Sequence, residues 1–333
     1  MNQIPLPTDT ADEALEETNS SFSEDPSKIV VALAEDEATL PAPIDININR
    51  SQQIELPPVS WQNYDQLPTK IKLTNTGETV ILSAKWEDGV YPGLKCGYLD
   101  GRYVFSQLHF HWGNSAVEGS EHTIDGTPLP LEMHVVHFND QYDTLEDALK
   151  HIGGVLCLVY FFSLKSTPNK FLEPVITNLK EIIFPDSVIK LTPFPIVNLF
   201  HAFTDDYFLY WGSTKAQSKS HPMLWLLSRT QECIDFHQLA QFRQLLDQRM
   251  RIIAREPPQV ADGKDRHLFH VNPRTPCSNW TLSPLPHPRY RDNRWLVDRM
   301  DIDIGAPGGC QQFIEALRRE MSNRRESSSS SEN

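Results

Sequence analysis

The 333-residue chain predicts an α+β fold dominated by β-structure. One domain is expected, built on a large mixed or antiparallel sheet with a few peripheral helices. Three observations predict this. From Ile54 onward, short β-rich runs are separated by turn signals such as TNTGE, DGVYPG, YLDG and DGTPLP, and strands so spaced pair with one another. Helical periodicity is confined to a few places, chiefly Leu145 to His151 and Phe236 to Arg251. The apolar run VLCLVYFF, Val155 to Phe162, falls far short of the ~20 residues of a membrane helix and reads as a fully buried central strand.

In chain order, the first element is an acidic stretch. Asp9, Asp12, Glu13, Glu16, Glu17, Glu24, Asp25, Glu35, Asp36 and Glu37 face only Lys28. Interleaved prolines and serines and weak apolar periodicity predict a disordered tail over residues 1–40. The formal net charge of −14 excludes nucleic acid as a natural partner. MNQIPLPTDT lacks the basic start and apolar core of a targeting signal. The five cysteines are an odd number without framework spacing and fit a reduced, cytoplasmic protein. The domain itself is expected over residues 41–278. Residues 279–333 form an extension in which Phe313, Ile314, Leu317 and Met321 line one stripe of a helix over 310–325, before a disordered serine-rich end. That helix either packs on its own domain or meets a protein partner.

The chemistry lies in FSQLHFHWG, Phe105 to Gly113. As a strand it puts Gln107, His109 and His111 on one face, where two imidazoles can grip one metal ion. LEMHVVHF, Leu131 to Phe138, puts Glu132, His134 and Val136 on one face of a neighbouring strand. Three neutral imidazoles leave the fourth position of Zn²⁺ open, the pattern of a catalytic site. Gln107 beside His109, and Glu132 beside His134, can each accept a ring N–H and so fix its tautomer.

With EGSEHTIDG (Glu118 to Gly126) between those strands, the segment resembles the α-class carbonic anhydrases. PAPIDI (Pro41 to Ile46), GYLDGRY, YWGS (Tyr210 to Ser213), QFRQL and VNPR fall in the family's order. The resemblance implies a twisted central sheet, His109, His111 and His134 as zinc ligands, and hydration of CO₂ to bicarbonate and a proton. It implies an apolar substrate wall of Val136, Cys157 and Trp225. Thr214 stands where the family usually has leucine, and Ala216 at a position usually polar or small.

Two departures bear on catalysis. Lys215 occupies the place of the threonine that orients the attacking water and hydrogen-bonds a buried glutamate, matched here by Glu121. A Lys215–Glu121 ion pair is expected, and an ammonium, which only donates, cannot replace the hydroxyl. Glu78 stands where active members often have a proton-shuttling histidine, and a carboxylate is poorly matched to proton transfer near neutral pH. Two functions follow from the resemblance. One is a zinc carbonic anhydrase of reduced activity. The other is a non-catalytic relative that keeps the fold, and with it zinc, and acts through its surface and tails.

Overall fold

The structure, a computed structural model, describes residues 25–87, 89–216, 219–253 and 260–274. Helix α1 (Pro26–Glu37) comes first, followed by short strands β1 (Asp45–Ile46), β2 (Gln52–Ile54) and β3 (Ser60–Gln62). A hairpin of β4 (Lys70–Asn75) and β5 (Val80–Lys85) leads through β6 (Gly93–Lys95) to the long strand β7 (Tyr103–Trp112). Strand β8 (Thr123–Ile124), strand β9 (Leu131–Asn139), helix α2 (Leu145–Ala148), strand β10 (Val155–Leu164), helix α3 (Glu173–Ile176) and strand β11 (Val188–Leu191) follow. A second hairpin, β12 (Tyr207–Ala216) and β13 (Lys219–Ser228), precedes β14 (Glu232–Ile234), helix α4 (Phe236–Phe242) and β15 (Phe269–Val271).

Among the described residues, thirteen strands form one sheet whose main path runs β11-β4-β5-β7-β9-β10-β13-β12-β15-β2. The pairs β10–β13, β10–β14 and β15–β2 are parallel, and the other pairs antiparallel, so the sheet is mixed. Strand β10 is buried at every position, as its unbroken apolar run requires. Because side chains alternate, each face of the sheet carries its own core. Leu108, Phe110, Trp112, Leu156 and Tyr160 belong to one. Val136, Cys157, Val159, Phe161, Tyr210 and Trp225 belong to the other, on the face shared by the histidines.

Two expectations need correction. Residues 26–40 are not a disordered tail. Asp25 caps α1 by accepting from Ser27 N, Pro26 fills the first turn, and Val30 and Ala34 are buried. The Trp211 indole donates to Val30 O (2.7 Å), Ser213 N to Leu40 O (2.7 Å), and Glu37 accepts from the backbone and ring of His267. The acidic count hid an apolar stripe whose partners lie far along the chain.

The helix expected over 236–251 ends at Phe242. Leu246 N donates to Ile183 O, and the Asp247 carboxylate accepts from Arg249 N and Arg251 N, which bends residues 245–253 back on themselves. The expected helix over 310–325 and the serine-rich end lie outside the described residues.

Candidate metal centre

Strands β7 and β9 pair in antiparallel register with His109 opposite His134 and His111 opposite Glu132. A bulge between Phe105 and Gln107 resets β7 just before the histidines, so that Gln107, His109 and His111 share one face with His134. One nitrogen from each of His109, His111 and His134 lies within 4.8 Å of the others. His111 Nε2 and His134 Nδ1 are 3.2 Å apart. Two of the rings are buried and His109 is half-buried, leaving one approach open.

Two of the rings are held from behind by hydrogen bonds, and the third has a carboxylate beside it. His109 Nδ1 donates to Gln107 Oε1 (3.0 Å), and His134 Nε2 donates to Glu132 Oε1. His111 Nδ1 lies 3.2 Å from Glu121 Oε1. With those nitrogens engaged, the remaining lone pairs are the ones that converge, and the cluster can hold a metal ion.

Glu132 is fully buried and anchors a wider network. It accepts from His122 N (2.9 Å) and His122 Nδ1 (2.7 Å), and His122 Nε2 meets the Tyr210 hydroxyl at 2.6 Å. Burial by itself would raise the Glu132 carboxyl, but His122 and His134 outweigh it and hold the group well below the usual carboxylate range. Burial keeps the Tyr210 phenol protonated. The loop carrying Glu121 and His122 depends on close backbone approach. A Cβ on Gly113 would lie 2.4 Å from Glu118 O, and one on Gly119 2.2 Å from Pro130 O.

The expected wall is assembled by register. Val136 pairs with Cys157, and Cys157 with Trp225, in one row across β9, β10 and β13. The Trp225 ring lies 5.3 Å from that of His134 and stacks on Tyr210. Burial pushes the Cys157 thiol well above its ordinary range, so the wall is neutral there. Thr214 is half-buried and shares the face of Tyr210 by alternation. The structure places Ala216 at the end of β12, paired with Lys219.

The Lys215–Glu121 ion pair does not form. Strand β12 stays in register with β13 up to Ala216, so Lys215 falls on the face of Trp211 and Ser213, opposite Tyr210. Its side chain is exposed, which avoids the cost of burying an ammonium. Glu121 stands beside His111 instead. Glu78 is exposed on the turn between β4 and β5, three residues before Ile81, the register partner of His109. Sequence reasoning gave no role to His122 or Tyr210. Their only signal was position inside the GSEHT and YWGS stretches.

A mixed sheet that turns three imidazoles toward one point defines a β-protein with a candidate metal site. The chain belongs to the eukaryotic-type carbonic anhydrase family, whose model matches residues 37–269. It is 29% identical to mouse carbonic anhydrase 15 over 211 residues, covering 62% of this chain and 65% of that protein. Identity to rat mitochondrial carbonic anhydrase 5B is 29% over 234 residues, 59% of this chain and 71% of the relative. Human carbonic anhydrase 3 is 34% identical over 159 residues, 46% of this chain and 58% of the relative. The match thus spans roughly two thirds of the length of these curated relatives.

Proposed function

We propose that the chain is a zinc-dependent carbonic anhydrase that reversibly hydrates CO₂ to bicarbonate and a proton, with activity reduced at position 215. The observation that carries this reading is the convergence of His109, His111 and His134, each with an acceptor behind it. The donor set fits Zn²⁺, which takes three neutral imidazoles and keeps a fourth position open. Bound zinc lowers the pKa of its water to about 7, carbonic anhydrase being the reference example of this effect, and so supplies a nucleophile near neutral pH.

The chain's own residues do the rest. Gln107 and Glu132 orient two of the rings and hold their protons on the outer nitrogens. Val136, Cys157 and Trp225 offer a nonpolar surface to CO₂ and exclude competing water. Position 215 does not supply the family's orienting hydroxyl, since Lys215 is exposed on the opposite face of β12. Loss of such a preorganised contact costs on the order of 10²-fold in rate. Proton exit falls to Glu78, whose exposed carboxylate serves this step less well than imidazole would. The cytoplasm suits the chain, because Cys96 and Cys157 are buried thiols.

The same observation at Lys215 favours a second reading, a zinc-binding relative without catalytic activity that acts through a protein partner. Elemental analysis and stopped-flow CO₂ hydration separate the two. Native protein should carry about one zinc per chain, lost in His111→Ala together with the folding free energy that metal binding contributes. Measurable but slow hydration supports the enzyme. Full zinc without hydration above background selects the non-catalytic relative, and a zinc content near zero overturns both.

A further inference from the structure

We propose that Glu121 is a positioning residue of the metal centre, fixing His111 as Glu132 fixes His134. Two of the three imidazoles are then backed by carboxylates and the third by an amide. This inference rests on the zinc reading above. It departs from the pairing that the family resemblance assigns to Glu121, which is with the residue at 215.

Four observations carry it. Glu121 Oε1 lies 3.2 Å from His111 Nδ1, with the two side chains 18% and 4% exposed, so solvent screens the contact little. His111 Nε2 is the nitrogen aimed at His134 Nδ1, which leaves Nδ1 as the outer nitrogen. Lys215 is exposed on the other face of β12 and does not compete for the carboxylate. The loop that delivers Glu121 is fixed by the next residue. His122 clamps Glu132 through both its backbone N–H and its ring, and Ser120 pairs in both directions with Leu129. The two carboxylates therefore belong to one framework.

The chemical consequence is directional. An anionic acceptor behind an imidazole makes the ring a better donor to the metal and holds its inner lone pair on target. A second carboxylate should tighten zinc retention and make the bound ion a weaker Lewis acid. The site gains in metal affinity what it gives up in activating water.

The test is zinc affinity by chelator competition for the full-length native chain, Glu121→Gln and Glu121→Ala, with the melting temperature of each metal-free protein measured in parallel. Glu121→Gln keeps size and an acceptor oxygen while removing the charge. Removing such an outer acceptor weakens metal binding by roughly 10–100-fold, and Gln should fall at the low end of that range and Ala at the high end. The metal-free melting temperatures should differ little. Cobalt-loaded Glu121→Gln should show altered visible absorption. A merely structural glutamate would do the reverse, lowering metal-free stability and leaving the affinity of the folded chain unchanged. If Glu121→Ala does not fold, Glu121→Gln alone decides. Native protein that binds zinc, with variants that bind it equally tightly, overturns this proposal and leaves the zinc reading standing. Native protein that takes up no zinc overturns both.

Discussion

Lys215 shares a face of β12 with Trp211, whose indole reaches α1, and with Ser213, whose hydroxyl bonds Thr39 O and Leu40 O. A threonine placed there points toward the same side, away from the histidines. Lys215→Thr alone should therefore leave CO₂ hydration within about twofold of native, at matched zinc content. A gain on the order of 10²-fold would show that the hairpin rearranges to deliver the new hydroxyl. The three histidines were legible from the sequence because strand alternation is a strict period of two, and β7 and β9 obey it. The place of Lys215 was not legible. Spacing to Trp225 fixes the position along the chain, but which way a residue points depends on whether the strand continues through it.

At the scale of elements, α1 is the part that composition concealed. Ile29, Val30, Leu33 and Ala34 pack on the domain, while Glu35 and Asp36 face outward. Replacing the fully buried Val30 by Asp strands a charge in the core and should cost on the order of 3 kcal/mol. Urea unfolding checks this, and a chain shortened by residues 1–40 should melt lower than one shortened by 1–24. Equal melting would mean that α1 adds nothing to the domain. Another element-level feature invites over-reading. Ser228 Oγ is 2.9 Å from His201 Nε2, and His201 Nδ1 is 2.6 Å from Glu232 Oε1, the spacing of a hydrolytic triad. Ser228 is 0% exposed and its hydroxyl donates to Thr230 O (2.9 Å), so no substrate reaches it. The three residues tie the end of β13 to β14 and to the segment before β12.

Across the whole molecule, acid sensitivity should trace to buried histidine. His137 is fully buried against the Tyr64 hydroxyl, and burial pushes its pKa down to about 3. The unfolded chain holds it near the ordinary value of about 6.5. Between those values the unfolded state binds a proton that the folded state does not. The contribution is fully present above pH 6.5 and is lost at about 1.4 kcal/mol per pH unit as pH falls toward 3. The double variant Tyr64→Phe, His137→Leu removes both polar partners together. Its urea midpoint should change less between pH 7 and pH 5 than that of the native chain. An identical slope would assign the acid sensitivity elsewhere.

The contact between Glu37 and His267 joins residues 230 positions apart. During synthesis α1 is made early, yet Trp211, Arg266 and His267, which receive it and the segment after it, emerge from the ribosome late. At about 5–20 residues per second, α1 waits roughly 12–46 s for its last partner. The histidine strands β7 and β9 lie in the middle of that interval and can pair before the termini meet. A nascent chain would then hold all three candidate metal ligands while its first helix, apolar side uncovered, is still without a place to dock. Closing the fold therefore waits until His267 has emerged.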